Sequence, residues 1–148
     1  VIAAIEAEGG TAMLVHGDLG LPDEGRRIVE EAASRLGQLD ILVNNAGSIL
    51  KRMPFAELDA ELYDATMNLN VRSVIAASQA ALPYFDAQGG GSIINLGSIA
   101  GNDGGGPGSG HYASAKAYIA SLNHVLSRQT TVRATHPQKT TDTPEVST

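Results

Sequence analysis

The sequence predicts an α/β protein on a doubly wound parallel sheet, and three observations carry that prediction. Short apolar runs of strand length alternate three times with longer helical patterns, the signature of βαβ units. Each run ends in small or polar turn residues: Gly17-Asp18-Leu19, then Asn44-Asn45-Ala46-Gly47, then Gly97-Ser98. The composition, 43% apolar and 18% charged with 17 Gly, is that of an ordinary α/β chain. The 148 residues suit one domain with a real core.

Residues 1–8 (VIAAIEAE) read as the end of an amphipathic helix stopped by Gly9-Gly10. Residues 11–16 (TAMLVH) have strand length. Pro22 and Asp23 then open a helix to about Leu36, with Ile28, Val29, Ala32, Ala33 and Leu36 on one face and Gly37 beyond its end. Residues 39–43 (LDILV) form the next buried strand, followed by a loop over 48–58. Asp59 caps a long helix from Ala60 towards Phe85, which Pro83 should kink or end because it lacks an N–H and crowds the preceding turn. Residues 86–91 turn back into a third strand at 92–96, and the next helix spans about 111–127.

After Leu126 the character changes. Residues 128–148 hold seven Thr, two Pro and, as apolar residues, only Val132, Ala134 and Val146. This predicts an irregular or disordered tail after a domain at 1–127. So abrupt a change is also what a frameshift would produce.

Several classes are disfavoured. A net charge of −6 with no basic stripe argues against a nucleic-acid surface. No apolar run approaches the roughly 18 residues of a membrane span, and no signal peptide is visible. Without cysteine there is no disulfide and no thiolate chemistry. The four His show no ligand spacing, so no metal is implied. A cytoplasmic location fits. The chain begins at Val1, so its true N-terminus is expected to lie upstream.

The chemistry gathers between Gly91 and Ser121. Tyr112 and Lys116 stand one helical turn apart on one face. A free phenol has a pKa near 10 and is a poor base at neutral pH. A nearby ammonium stabilises a phenolate, and a phenol so placed can exchange a proton with an alcohol or carbonyl oxygen. Ser98, at the strand terminus, can bond the same oxygen or merely its own turn. Asn70 sits mid-helix, where Asn is a mediocre helix former. It marks either a backbone distortion that bares a carbonyl to water or a tolerated polar residue. Asp18 is either an adenine-side acceptor or a turn cap. The 44–47 turn offers small residues that let backbone approach a ligand. Residues 104–110 (GGGPGSG) fit neither dinucleotide nor P-loop spacing and read as a flexible substrate-side loop. Ser98, His111 and Asp103 make no hydrolase triad, since no nucleophile elbow surrounds Ser98.

Asp18, NNAG at 44–47, Asn70, Ser98 and YASAK at 112–116 stand in the order and spacing of the short-chain dehydrogenase/reductase family, which the chain resembles from about Val1 to Leu126. The resemblance implies a Rossmann-like fold and NAD or NADP as cofactor. It implies hydride transfer between the nicotinamide and an alcohol/carbonyl substrate, with Tyr112 as general acid/base. Lys116 would be its electrostatic helper and ribose ligand, Ser98 the substrate-oxygen orienter and Asn70 the anchor of a relay water. Asp18 and Leu19 would lie at the adenine, with Asn44, Ala46 and Gly47 supporting sheet and cofactor. It also implies a dimer or tetramer through the two long helices.

Two family parts are expected to be missing. The glycine-rich first strand and the second strand, which belong between residues 11–16 and 39–43 in the sheet, have no counterpart, and the Thr-rich tail after Leu126 is expected to match none of the family's later strands. The 148-residue chain alone is therefore expected to be inactive. The alternative is a non-catalytic remnant or association module of the same fold.

Overall fold

The computed structural model describes residues 1–128 and the backbone of 132–135. Helix α1 (Ile2–Ala7) is exposed throughout. Helix α2 (Glu24–Leu36) ends at Gly37, in the left-handed conformation glycine accepts without cost. Strand β1 (Ile41–Asn44) follows, then helices α3 (Ala60–Met67) and α4 (Ser73–Gln88), strand β2 (Gly91–Asn95), the short helix α5 (Ala100–Asp103), helix α6 (Gly110–Leu126) and strand β3 (Val132–Thr135).

The three strands are parallel, in the order β1-β2-β3. Ile41 pairs with Ser92 and Asn44 with Asn95, while Gly91 pairs with Val132. One face of the sheet is covered by helices. Val29 of α2, Ala77, Ala80, Ala81 and Phe85 of α4, Ile93 of β2 and Leu126 of α6 form one buried cluster. Val71, Val74, Ala115 and Ile119 form a second, and Leu122 packs against both. On β1 the residues alternate, so that Leu42 meets this core while Ile41 and Val43 stay more than half exposed on the other face.

The structure corrects the sequence reading in four places. Residues 11–16 join no ladder among the described residues. A strand exists only through a hydrogen-bonding neighbour, and among the described residues β1 pairs with β2 alone. Residues 132–135 form a strand on β2 inside the segment expected to be irregular, so the strand following α6 is present. Its four residues, VRAT, are too few to register as a periodic pattern. The rest of the tail lies outside the described residues.

The expected single helix from Ala60 is divided by a π-helical turn at Asn68–Arg72, the distortion that Asn70 pointed to. Pro83 does not end its helix, since α4 runs on to Gln88 and stops at Gly89. Ala80, Ala81 and Phe85, at most 3% exposed, continue the buried face across the missing N–H. The Asp59 cap is as expected: its side chain accepts from the Leu62 N–H at 2.8 Å.

Candidate active site

The C-terminal ends of β1 and β2 bring the predicted site residues together. Beyond β1 the chain enters the 44–47 turn; beyond β2 it reaches Ser98 and α5, and α6 then delivers Tyr112 and Lys116. Strands in a parallel sheet all point one way, so these turns share one edge.

Lys116 is 5% exposed, and its Nζ donates to the Leu96 carbonyl at 2.9 Å. The same ammonium lies 5.8 Å from the centre of the Tyr112 ring, within cation–π range. Burial holds the Lys116 amine below its ordinary lysine value, because a low-dielectric site disfavours the charged form. Tyr112 is partly exposed.

Asn70 is fully buried in the π turn. Its Nδ2 donates to the carbonyls of Ser48 (2.8 Å) and Thr66 (3.0 Å), and its Oδ1 accepts from the Ser48 N–H (3.1 Å). Ser73 Oγ donates to the Leu69 carbonyl at 2.6 Å. Polar side chains thus satisfy backbone groups in and beside the π turn.

Gly47 is where these parts meet. A Cβ there would lie 2.8 Å from Asn70 Oδ1 and 3.0 Å from Lys116 Nζ, so only glycine lets the turn pass. Ser98 Oγ accepts from the Ala100 N–H at 3.2 Å, which opens α5. Asp18 plays the turn-cap part, its carboxylate accepting from the Gly20 N–H at 2.9 Å.

Leu19, Asn44 and Ala46 line a cleft of about 120 Å³ together with Ile28, Val29 and Leu42. This joins the expected adenine-side and NNAG residues, leaving Gly47 on the Lys116 side.

The 104–110 loop is tied down at several points. Met53 N–H donates to the Gly108 carbonyl at 2.9 Å, Arg52 Nη1 to that of Pro107 at 3.0 Å, and His111 Nε2–H to that of Lys51 at 3.0 Å. The loops at 48–58 and 104–110 therefore form one wall beside Tyr112.

Two residues escaped the sequence reading. Asn95 is fully buried, accepts from Asn44 Nδ2 at 2.7 Å and donates to Asn123 Oδ1 at 2.7 Å. This amide chain links the 44–47 turn to α6 through β2. The available signal was an asparagine inside the apolar run SIINL. Asn123 carried no signal beyond a polar residue on a helix.

Known proteins align with this arrangement. A profile described as short chain dehydrogenase matches residues 1–136, ten residues past Leu126, where the resemblance was expected to stop. L-rhamnose-1-dehydrogenase of Scheffersomyces stipitis is 40% identical over 111 residues, 74% of this chain and 42% of that protein. The 3-oxoacyl-[acyl-carrier-protein] reductase FabG of Staphylococcus aureus is 33% identical over 146 residues, 93% of this chain and 57% of that one. Among solved structures, the NADH-dependent reductase A1-R′ responsible for alginate metabolism superposes with a TM-score of 0.85 at 29% identity, over 91% of this chain and 58% of that one. A short chain dehydrogenase of Burkholderia cenocepacia in complex with NADP gives 0.82 at 35% identity, over 92% and 56%. The chain thus spans about half the length of the curated relatives it matches.

Proposed function

The chain belongs to the short chain dehydrogenase family, and on that premise we propose that it carries the proton-handling half of a nicotinamide-dependent alcohol/carbonyl oxidoreductase. The observation that carries this reading is the buried Lys116 ammonium, 5.8 Å from the Tyr112 ring at the C-terminal edge of the sheet. A buried lysine is costly unless something uses its charge.

The residues present suit NAD or NADP. Gly47 lets the turn pack against Asn70 and Lys116 where a Cβ would not fit, and a cleft of about 120 Å³ lies beside Leu19, Asn44 and Ala46. When bound, the nicotinamide supplies or accepts the hydride. The proton handling falls to this chain. In the reductive direction Tyr112 Oη gives its proton to the substrate oxygen and regains one from solvent; in the oxidative direction it takes the proton away. Lys116 stabilises the phenolate left behind and is placed to meet the ribose. Ser98 Oγ turns from Ala100 to hold the substrate oxygen. Asn70 anchors the relay water through its backbone, because its side-chain amide is already engaged with Ser48 and Thr66. Asp18 and Leu19 face the adenine.

The test is NAD(P)H oxidation with a panel of carbonyl compounds, run on the 148-residue chain and on the full reading frame that contains it. The full product should turn over, and Tyr112→Phe should lower its rate by about 10²–10⁴-fold. The 148-residue chain should not turn over. Turnover by the short chain would overturn that last point, and a Tyr112→Phe product as fast as wild type would overturn the site.

A second reading is favoured by one observation. Ile41 and Val43 are 57% and 53% exposed on a strand whose second edge pairs with no strand among the described residues, a surface suited to association. Failure of both products to bind cofactor would make the association module the better account.

A further inference from the structure

The turn at residues 16–20 is gripped from below by the first turns of α2. Arg27 is the centre of the grip. Its guanidinium pairs with Glu24 through two bonds of 2.8 Å and with Glu31 at 2.9 Å, and it also donates to the His16 carbonyl. The hydrogen bond from Arg27, above all, holds the Glu24 carboxyl below the ordinary carboxylate value against the opposing effect of burial. The Arg27 charge adds to this, as does a hydrogen bond from the Asp18 backbone.

Between these two anchors lies Gly17. A Cβ there would stand 2.5 Å from Glu24 Oε2, 2.7 Å from Ile28 Cδ1 and 2.8 Å from Arg27 Nη2. The chain therefore passes directly over the ion pair, with the carbonyl of residue 16 on the arginine and the amide of residue 18 on the glutamate. Asp18 then closes the turn on Gly20, and Leu19 is left as a wall of the cleft it shares with Asn44 and Ala46.

We propose that Glu24 and Arg27 are positioning residues for the adenine side of the site, setting Leu19 and Asp18 by holding both backbone ends of the His16–Asp18 segment. The role rests on the reading of that turn as adenine-facing. Charge alone would not require this arrangement, since Arg27 already has two carboxylates; what sets it apart is the guanidinium bond to a backbone carbonyl eleven residues away. A bidentate guanidinium fixes direction as well as charge, so lysine should replace it only in part.

The experiment uses the whole 148-residue chain as wild type, Arg27→Met, Arg27→Lys and Glu24→Gln. Amide hydrogen exchange reports the turn, and AMP titration followed by amide shifts reports the cleft. Arg27→Met and Glu24→Gln should speed exchange at Asp18 and Gly20 by about tenfold, with Ile93 in β2 unchanged. They should weaken AMP by a similar factor, and Arg27→Lys should fall between. Unchanged exchange at Asp18 would overturn the grip. Faster exchange with unaltered AMP affinity would overturn the positioning role. No AMP shift in wild type would overturn both that role and the adenine reading, while exchange at Asp18 would still report the grip by itself.

Discussion

Asn70 takes hold of both backbone polar groups of a single residue, Ser48: it donates to the carbonyl at 2.8 Å and accepts from the N–H at 3.1 Å. A side-chain amide carries donors and an acceptor on one planar group, so it can do both at once. The pairing fixes the loop after the 44–47 turn against the π turn. Asn70→Ala should lose about 2–4 kcal/mol, because three bonds go and the Ser48 groups lose their partner. Urea denaturation checks it, and a loss under 1 kcal/mol would show that water replaces the amide.

Gly47→Ala should be costly at a position that is itself exposed. The added methyl meets Asn70 Oδ1 and Lys116 Nζ, both held by other bonds. Overpacking of this kind costs about 1–3 kcal/mol. The methyl should also displace Lys116 from the Leu96 carbonyl, which the Lys116 amine NMR signal would reveal.

Lys116 makes stability depend on pH in a predictable direction. Its folded pKa lies below the ordinary 10.5. The unfolded chain therefore binds more protons between the lowered value and 10.5, and stability rises with pH through that window. Lys116→Met has no such term. The stability of wild type relative to Lys116→Met should accordingly improve from pH 7 to pH 10, measured as paired urea midpoints. Parallel pH profiles would show that the amine is solvated.

Asn95→Asp should reverse that dependence. A carboxyl at this fully buried position would face the Asn123 Oδ1 that now accepts from Asn95. Burial and the facing acceptor raise its folded pKa, so stability is greatest at low pH and is lost as pH rises through that raised value. Thermal melts at pH 4 and pH 8 test this. Asn95→Leu, which has no charge, should cost about 2–4 kcal/mol at both, by stranding Asn123 Oδ1 and leaving Asn44 Nδ2 with only Ser78 Oγ at 3.3 Å.

What the sequence made legible were features with a local cause. Tyr112 and Lys116 share a helix face because they are four apart; Asp59 caps because it precedes an apolar helix; Asn70 marks a distortion because asparagine sits poorly mid-helix. What stayed hidden depends on partners distant in the chain. Residues 11–16 look like a strand but find no ladder, whereas 132–135 do not look like one yet find β2. The Asn44–Asn95–Asn123 chain spans residues up to 79 apart in number, and no local pattern announces it. The Arg27 bond to His16 is of the same kind.

The strand order has a consequence for synthesis on the ribosome. Because β1 and β2 are neighbours in both sequence and space, their ladder can close once Asn95 has emerged, before α6 exists. At that moment Asn95 has its Asn44 partner, but the acceptor for its own amide is Asn123, 28 residues later. At about 5–20 residues per second the nascent sheet waits roughly 1–6 s with the Asn95 amide N–H unpaired. Chaperone contact, if the chain needs it, belongs to that interval, and it ends when α6 is translated.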